Sequence, residues 1–431
     1  MDQQRQQKKI LLLVSLTIVV IVAIVIQLLL PHLLLHGPAV DIPPQHRPVT
    51  SAVDPSNVSL RLSSGKLTKI YERVEEGQRQ PLLLAPETVV FDGKGVMYVM
   101  NENAKLVSLT DFEQKEGSGD ASIVTAKATE VADLGMGRPL GGQFDKKGKG
   151  KCLYFADAVL GLARICNLPA KKSPSSPKPK VELLASRVKL EDGSWSPVNF
   201  ADDLSIGPKT GHVYFSDASD IKTDQDITTG LWDLVYSSKL EGIRGKRTGR
   251  LLRYRPESGE VDILATNVAF ANGVAVDKDE SFVLYTSTYD GSVRKYHLSG
   301  EREGSIVPTS LQFPGFLDGA DCSFQRGLCY VAIPTTVPPI MSAIFSMPPW
   351  MGIPIRSLLM MIPRTWAPKP VRYGAAAEIH PGNENTPARI LRIFQDPDGR
   401  DMEMVTGVTE HEGKLYLGSL HSNCVGVVSL D

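Results

Sequence analysis

"FANGVAVDKDESFVLYTSTYDGSVRKYHLSG", residues 270–300, holds two apolar runs of strand length separated by a charged turn. Together the runs are rich in Val, Tyr and Phe, which is typical of paired β-strands. An Asn-Gly pair usually marks the turn of a hairpin, but Asn272 and Gly273 stand at the start of the first run. The Asn-Gly pair therefore has a role at the start of the strand and not in a turn. Similar stretches elsewhere in the chain indicate what that role is.

Five other stretches share this hairpin pattern. Each has an apolar strand, a turn rich in Asp or Gly and a second strand containing Tyr or Phe, and they begin at Pro86, Pro139, Ala201, Leu317 and Thr406. Several continue into a third strand. Six such units, each completed to about four strands, predict an all-β fold, a six-bladed β-propeller.

The register of the six units selects one residue from each. In each unit we take the apolar or near-apolar residue just before the first turn and count back four positions. The residue reached would lie near the start of an innermost strand and face the central channel. The six residues are Glu87, Leu140, Asp202, Asn272, Asp318 and Thr406. Four of them are carboxylates or amides, so the sequence predicts a polar ring around the channel axis.

The predicted ring has the chemistry of a cation site. Three crowded carboxylates would repel one another, and burying them unpaired is costly. Ca²⁺ accepts carboxylate and amide oxygens in flexible geometry, which predicts Glu87, Asp202, Asn272 and Asp318 as ligands, with Gly273 letting the backbone turn. The alternative is that these side chains cap strand ends or line a wet channel without any metal.

The N-terminal part of the chain predicts a membrane anchor. Residues 10–30, "ILLLVSLTIVVIVAIVIQLLL", are uncharged and match the roughly 20 residues that span a bilayer as a helix. Arg5, Lys8 and Lys9 precede this run and the next basic residue is Arg47, which favours a cytosolic N-terminus. A cleaved signal peptide, with "HGPAV" near the cut, is the alternative. Either way, the rest of the chain enters the secretory pathway.

We therefore expect a single-pass type II protein of the endoplasmic reticulum or plasma membrane, with its propeller in the lumen or outside the cell. The predicted organisation is a cytosolic N-terminus (1–9), a transmembrane signal-anchor (10–30), a lumenal linker (31–65) and the propeller (66–431).

Composition adds two expectations. The formal net charge of −1 argues against a nucleic-acid partner. Asn57 begins an Asn-Val-Ser sequon and is a candidate glycosylation site in this compartment.

Among the cysteines, Cys322 and Cys329 flank a turn and could form a disulfide. The alternative is buried thiols throughout, and the total of five leaves at least one unpaired within the monomer.

One segment departs from the repeat. Residues 333–374 insert a stretch rich in Met, Pro and Trp between two strands of the fifth unit, and their proline spacing excludes a long spanning helix. We expect short helices forming a lid over the channel mouth. A patch lying on the membrane surface, a lipophilic substrate path and a loop packed on the propeller are the alternatives.

The ordered motifs "GRPLGGQFD", "NFADDLSI", "TGRLLRYRPESGEVDIL", "FANGVAVDKDESFVLY" and "FPGFLDGADC" resemble the strictosidine synthase-like family over about residues 80–431. The N-terminal run and the ending "EHEGKLYLGSL" are most similar to its adipocyte plasma membrane-associated protein branch. The resemblance implies a six-bladed propeller related to gluconolactonase-type and paraoxonase-type hydrolases.

In those relatives Glu, Asn, Asn and Asp hold a central Ca²⁺ or similar ion. Glu87 matches the Glu, Asn272 the second Asn and Asp318 the Asp, while Asp202 stands where the hydrolases more often have Asn. Ser287 also departs from the Glu of many members, and Leu317-Asp318-Gly319 replaces the usual Pro-Asp-Asn. These departures bear on the substrate more than on the fold.

The function favoured by these features is metal-dependent hydrolysis of a small lipophilic ester or lactone, as in an arylesterase. An ion in the channel can polarise the substrate carbonyl without a serine nucleophile, and Asp318 is the candidate for moving a proton. Histidines at 212, 380, 411 and 421 are weaker candidates for a base. The alternatives are a non-catalytic propeller displayed on a membrane for protein contacts and a condensing enzyme of the strictosidine synthase type.

Overall fold

Alternating apolar residues and Asp- or Gly-rich turns fold this chain into consecutive antiparallel hairpins. In the stretch 270–300, the Asp277 carboxylate accepts the backbone N–H groups of Ser281 (2.6 Å) and Phe282 (2.9 Å) and so closes the first turn. The structure, a computed structural model, describes residues 36–47, 59–62, 67–74, 81–115, 121–145, 150–168, 179–383 and 386–431.

The strands are numbered in chain order. The first ten are β1 (Ser59–Arg61), β2 (Leu67–Glu72), β3 (Thr88–Phe91), β4 (Met97–Met100), β5 (Lys105–Lys115), β6 (Ser122–Asp133), β7 (Pro139–Phe144), β8 (Cys152–Asp157), β9 (Gly161–Cys166) and β10 (Val181–Ala185). The next ten are β11 (Arg187–Lys189), β12 (Trp195–Pro197), β13 (Ala201–Ile206), β14 (Val213–Asp217), β15 (Gly249–Arg255), β16 (Glu260–Val268), β17 (Ala271–Val276), β18 (Phe282–Ser287), β19 (Ser292–His297) and β20 (Ile306–Pro308). The last seven are β21 (Ala320–Cys322), β22 (Cys329–Ile333), β23 (Gly374–His380), β24 (Arg389–Asp396), β25 (Val405–His411), β26 (Lys414–Ser419) and β27 (Val425–Ser429).

These strands pair into four-stranded antiparallel units. The units β7–β10, β13–β16 and β17–β20 are separate sheets, β21–β24 carries β1 as an added parallel strand, and β11 and β12 form a small hairpin. An eight-stranded sheet contains the unit β3–β6 and the unit β25, β26, β27 and β2, joined through the parallel pair β2 and β6.

The units pack around an axis in a propeller-like fold. The first strand of each unit contacts the first strand of the next, and the contacts close on themselves in the order β3, β7, β13, β17, β21, β25 and back to β3. Apolar clusters fill the space between neighbouring units, as where Tyr154 and Leu162 pack with Phe215 and Leu252. Because β2 comes from the N-terminal side and pairs with β27, it ties the two ends of the described fold together.

Helices lie mainly on one end of this fold. They are α1 (Leu234–Arg244), between β14 and β15, and α2 (Pro339–Ser346) and α3 (Pro349–Leu359), between β22 and β23. Asp233 caps α1 by accepting the N–H of Tyr236, and Gly245 ends it at φ 74°. Short 3-10 turns occupy Pro44–His46 and Arg364–Trp366. Together α1, α2, α3 and residues 360–372 form a helical cap, so the predicted insertion 333–374 does contain short helices.

The segment predicted as a linker makes defined contacts where it is described. Residues 36–47, called the N-terminal strap, pack on the helical cap, with Val40 N–H bonded to the Arg244 carbonyl at 2.9 Å. Strand β1 also lies before residue 66, the predicted start of the propeller. No helix among the described residues is long and apolar enough to cross a bilayer. The predicted anchor, residues 10–30, and Asn57 lie outside the described ranges.

Candidate metal centre

The predicted ring positions occupy the starts of the six innermost strands. Glu87 directly precedes β3, and Asp318 lies two residues before β21. The other four sit inside pairing irregularities of their strands, between residues Pro139/Gly142, Ala201/Leu204, Ala271/Val274 and Val405/Gly407. A β-bulge re-aims a side chain without ending the strand, so the repeated bulges explain how these residues leave the alternating pattern and face the axis.

Three carboxylates meet at this ring. Oxygen atoms of Glu87, Asp202 and Asp318 all lie within 4.8 Å of one another. Glu87 and Asp202 are buried, Asp318 is partly exposed, and Asn272 is 4% exposed. The site therefore brings together all four residues predicted as metal ligands.

Two oxygen atoms of the four predicted ligands have no hydrogen-bond partner in the described structure. They are Glu87 Oε2 and Asn272 Oδ1, and both are shielded from solvent. A buried polar atom without a partner loses about 1–3 kcal/mol of solvation free energy. Carboxylate and amide oxygens are also the donors that Ca²⁺ prefers. The residues present therefore fit a hard divalent cation.

The carboxylates oppose one another's ionisation. Burial, followed by the charges of Asp318, Glu87 and Asp203, raises the pKa of Asp202 well above its usual value. Burial and the charge of Glu87 do the same to the pKa of Asp318. For Glu87, burial raises the pKa to about 7, although the nearby Arg138 guanidinium acts in the opposite direction. Negative charge at the ring is costly without a compensating cation.

Arg138 is the cation that the structure places beside the ring. Its guanidinium lies 4.0 Å from Glu87, and both side chains are almost fully buried. Burial lowers the pKa of Arg138, while Glu87 and other carboxylates raise it. One positive charge does not balance three carboxylates, so the ring keeps an excess of acidic groups.

Asp203 is a further, partly buried carboxylate at the ring that the repeat pattern did not single out. Its Oδ2 accepts the N–H groups of Val274 (2.9 Å) and Ala320 (3.2 Å), and its Oδ1 accepts that of Leu204 at 2.8 Å. It thus ties β17 and β21 to β13. Burial is the main cause that raises the pKa of Asp203 to about 7. The Asp-Asp pair at the start of β13 was the available signal.

Gly273 has a different role from the predicted one. Gly273 is not one of the described glycines with a positive φ. The residue therefore does not serve a turn that only glycine can adopt. A Cβ atom there would lie 2.5 Å from the Asp318 carbonyl oxygen and from the Ala320 nitrogen. The prediction that Gly273 turns the backbone was wrong: its missing side chain lets β17 approach the next innermost strand.

Two cavities meet at the ring and have opposite character. An apolar cavity of about 460 Å³ lies under the helical cap and is lined by Leu140, Phe200, Phe270 and Phe316, with Met341 and Ile344 from α2. A polar cavity of about 580 Å³ opens at the other end and is lined by Asp203, Asp321 and Glu410, among others. Glu87, Asp202, Asn272 and Asp318 line both cavities, so the ring forms the floor of each.

The other predicted residues lie away from the ring or on its rim. Ring position Leu140 faces the apolar cavity, and Thr406 faces the polar one. His411 stacks on Phe91 with ring centroids 3.9 Å apart in the polar cavity. His212 contacts Glu257 at 3.1 Å.

Four of the five cysteines form cross-strand disulfides. Cys322 is bonded to Cys329, and Cys152 to Cys166, while Cys424 is a buried free thiol. Each bonded pair faces its partner directly across a hairpin. The bridge between Cys152 and Cys166 was not predicted from the sequence. Its cysteines stand at the ends of β8 and β9 that are far from the turn, so they do not flank it as Cys322 and Cys329 do.

Comparisons with solved structures show similar chains. A gluconolactonase from Xanthomonas campestris aligns over 91% of this chain and 97% of its own, at 11% identity and a TM-score of 0.49. A calcium-binding regucalcin from Agrobacterium tumefaciens aligns over 84% of this chain and 94% of its own, at 12% identity and a TM-score of 0.45.

Sequence comparisons find nearer relatives. Strictosidine synthase-like 3 of Arabidopsis thaliana is 29% identical over 303 residues, which cover 68% of this chain and 67% of that protein. Adipocyte plasma membrane-associated protein of Gallus gallus is 28% identical over 390 residues, covering 89% and 83%. The human protein of that name is 28% identical over 384 residues, covering 86% and 82%.

These matches confirm the resemblance predicted from the sequence motifs. Residues 202–301, which include Asp202 and Asn272, match the family model described as strictosidine synthase. Residues 202–301 are therefore similar to the strictosidine synthase family, and most of the chain is similar to strictosidine synthase-like proteins and adipocyte plasma membrane-associated protein.

Proposed function

We propose that this protein is a membrane-anchored hydrolase of esters or lactones, built on a propeller of six blades whose channel binds Ca²⁺ or another divalent cation. The observation that carries the proposal is the buried ring in which Glu87, Asp202 and Asp318 oxygens lie within 4.8 Å of one another, at the floor of an apolar cavity. The six four-stranded units around the closed cycle of first strands support the blade count.

Glu87, Asp202, Asn272 and Asp318 would hold the ion. One oxygen of Glu87 and one of Asn272 accept no hydrogen bond in the described structure and are available to an ion, although the Glu87 oxygen also lies 4.0 Å from the Arg138 guanidinium. A divalent cation would also offset the mutual repulsion that raises the pKa values of the three acids. Ca²⁺ takes roughly six to eight oxygen ligands, so water or substrate would complete the set.

When bound, such a cation would polarise the carbonyl group of an ester or lactone. Asp318 is suited to handle the proton because it is the partly exposed carboxylate of the ring. Its Oδ1 accepts the N–H of Gly319 at 3.1 Å, which orients the carboxylate. With Oδ1 held in this way, Asp318 would take a proton from an attacking water and hold it at Oδ2.

The apolar cavity indicates the substrate class. Aromatic side chains of Phe200, Phe270, Tyr289 and Phe316 line it, and the Tyr289 hydroxyl donates to the Ser238 carbonyl at 2.7 Å. Polar groups concentrate at the floor. A lipophilic ester or lactone could therefore bury its apolar part against the aromatic wall and present its carbonyl to the ring.

The compartment follows from two features. Residues 10–30 are the proposed type II anchor, which would place the propeller in the lumen of the secretory pathway or outside the cell. Disulfides persist in oxidising compartments, and this chain contains two. Similarity to adipocyte plasma membrane-associated protein supports a membrane location.

A non-catalytic propeller is the second candidate, because the same ring could hold an ion that only fixes the innermost strands to one another. Residues from β13, β17 and the segments before β3 and β21 all meet there, and a bound ion would cross-link them. A condensing enzyme of the strictosidine synthase type is a third candidate.

Turnover measurements separate these candidates. The full-length chain in lipid nanodiscs would be given an aryl ester and a lactone, with Ca²⁺ or with chelator, beside an Asn272→Ala, Asp318→Ala double variant. The matched control is Asp262→Asn, which removes a carboxylate paired with Arg253 and Arg255 on an outer strand. We expect chelator and the double variant to abolish turnover and the control to retain it. Absence of turnover, with Ca²⁺ still raising thermal stability, would overturn the hydrolase and favour the non-catalytic propeller.

A further inference from the structure

The helical cap exposes large apolar side chains to solvent. Ile340 is 72% exposed, Trp350 77%, Leu358 56%, Trp366 77% and Val371 44%. Twelve large apolar side chains are exposed in the described part of the chain, so five of them fall within a single segment of the cap. We call these five residues the cap face. Clustered exposed apolar residues mark an interaction surface, whereas scattered ones do not.

The charge of this segment selects among partners. Residues 334–372 contain four basic residues and no acidic residue. Arg356 is buried and Arg364 is paired with Asp233. Lys369 and Arg372 are exposed, although Arg372 also contacts Glu403. Tryptophans together with basic residues are the composition of protein surfaces that lie at the headgroup level of a bilayer, where the indole ring and the cation both find suitable surroundings. The segment thus has the chemistry of a phospholipid interface.

The N-terminal strap brings the chain to the same cap. The Arg244 guanidinium donates to the His36 carbonyl at 3.4 Å, and the Ala39 N–H donates to the Ser357 hydroxyl at 3.1 Å. Ala39 is buried in a small core with Leu240 of α1 and Met360. The first described residues are therefore held against α1 and α3.

Chain length places the proposed anchor beside the cap. The apolar run ends at Leu30, six peptide steps before His36, and an extended chain covers about 3.5 Å per residue, so the two positions are at most about 21 Å apart. Because His36 is fixed to the helical cap, a bilayer that holds residues 10–30 must come close to this end of the molecule.

The apolar cavity opens within the cap face. Ile340 and Val371 are both exposed, and both also line the cavity that ends at the carboxylate ring. One apolar surface thus continues from the outside of the cap towards Asp318.

We propose that the cap face lies on the phospholipid bilayer that holds residues 10–30, so that the apolar cavity opens to the membrane and takes its ligand from the lipid phase. This rests on the membrane anchorage in the proposed function, and it adds the orientation of the propeller and the route of entry. Trp350 and Trp366 sit at the headgroup level, and the polar cavity faces away from the membrane.

Tryptophan fluorescence tests this orientation directly. The chain has four tryptophans, Trp195, Trp232, Trp350 and Trp366, and none lies within residues 10–30, so the anchor gives no signal. The full-length chain is reconstituted in phosphatidylcholine vesicles with or without brominated acyl chains, which quench indole fluorescence only at close range. One variant keeps only the cap pair (W195F, W232F), and its counterpart keeps only Trp195 (W232F, W350F, W366F), because Trp232 lies two residues before α1 and is itself next to the cap.

We expect bromolipid to quench the cap pair at least about twofold more strongly than Trp195, because the cap pair reaches the interface. Equal quenching of the two variants, or none of the cap pair, would overturn the proposal. If a second copy of the chain covered the cap face, bromolipid would not quench the cap pair and the protein would be a dimer in detergent solution. That result would also overturn the proposal. Circular dichroism of both variants checks that they fold.

The experiment does not depend on catalysis. Extraction of the vesicles with sodium carbonate reports the anchorage separately, since an anchored chain stays with the lipid. A chain that is quenched but does not turn over esters would retain this inference and lose the hydrolase. A chain that turns over soluble esters without quenching would lose this inference alone.

Discussion

A carboxylate oxygen of Glu87 lies within 4.8 Å of one of Asp318, although the two residues belong to units separated by the β25–β27 unit. Such proximity arises only when the ring of innermost strands is closed. The pair therefore links the stability of the whole propeller to the charge on the channel axis.

Removing one charge from this pair should remove the response to Ca²⁺. For the wild-type chain, a ligand at about 100 times its Kd stabilises the folded state by about 2.7 kcal/mol, which raises the unfolding temperature by several degrees. Asp318→Asn keeps the shape of the side chain but loses the charge, so its unfolding temperature should be nearly the same with Ca²⁺ and with chelator. Scanning calorimetry measures this difference. An equal Ca²⁺ response in Asp318→Asn and wild type would place the ion elsewhere.

Much of this ring could be predicted from the sequence because register is a periodic property. Asn272 marked one innermost strand, and counting along each repeat unit reached Glu87, Asp202 and Asp318. Bulges lie at the same place in four of the six units, as at Ala201/Leu204 and Ala271/Val274, so they do not disturb this counting. Asp203 was missed because no other unit has a carboxylate directly after its ring residue, and its partners Val274 and Ala320 come from other units.

The surroundings of the ring were less predictable because they depend on contacts between distant segments. The apolar composition of residues 333–374 indicated a lid, but nothing local placed α1 beside α3. Arg356 joins them by donating to the carbonyls of Ile243 (3.0 Å) and Val40. The docking of the N-terminal strap, at a separation of more than 300 residues, leaves no periodic signal in the sequence.

Gly273→Ala should destabilise the fold and weaken the ion site. Its Cβ would lie 2.5 Å from backbone atoms of Asp318 and Ala320, and backbone cannot rotate away as a side chain can. We expect a loss of about 1–3 kcal/mol, as for other overpacked sites, together with a smaller Ca²⁺ response. Urea unfolding with and without Ca²⁺ measures both effects.

Gly352→Ala is the matched control for this substitution. Gly352 lies within α3, where a Cβ would meet its neighbours at 3.4–3.5 Å, an ordinary contact. Alanine should stabilise that helix by up to about 1 kcal/mol. If both glycine variants lost similar stability, the close approach of β17 to its neighbour would not be the cause.

Glu280→Gln should destabilise the protein most at neutral pH. The Glu280 carboxylate accepts the N–H groups of Lys209 (2.8 Å) and Thr210 (2.9 Å), and so ties the β17–β18 turn to the β13–β14 turn. Burial favours its neutral form, but hydrogen bonds from Thr210, Lys209 and Tyr214 outweigh burial and lower the pKa of Glu280. The stability gained is present above the usual pKa near 4.5 and is lost as the pH falls through the lowered value.

We therefore expect the stability difference between wild type and Glu280→Gln to be about 1–3 kcal/mol at pH 7 and to shrink below pH ~4. Urea unfolding across this pH range measures the difference. A difference that stayed constant from pH 7 to pH 3 would show that packing, rather than the carboxylate charge, explains the loss.

The disulfide between Cys152 and Cys166 should contribute strongly to stability. It closes a loop with a sequence separation of 14 residues, and a cross-link of about this length stabilises a fold by about 3 kcal/mol in the chain-entropy model. A Cys152→Ala, Cys166→Ala variant should lose about that amount in urea unfolding. The matched control is Cys424→Ala, which removes a thiol that forms no disulfide. An unchanged unfolding midpoint in the double variant would argue against the bond.

Charge introduced into the apolar cavity should weaken binding of a lipophilic ligand. Ile344 of α2 lines the cavity, whereas its neighbour Ala343 is exposed and does not. Burying a carboxylate beside an apolar ligand without a partner is unfavourable by several kcal/mol. Ile344→Glu should therefore raise the Kd for a fluorescent long-chain ester at least about tenfold, which corresponds to 1.4 kcal/mol, and Ala343→Glu should leave it nearly unchanged. Titration of the ester into nanodisc-bound protein measures both. Equal weakening by the two variants would mean that the helix itself was disturbed, and no weakening by Ile344→Glu would show that the ligand binds outside this cavity.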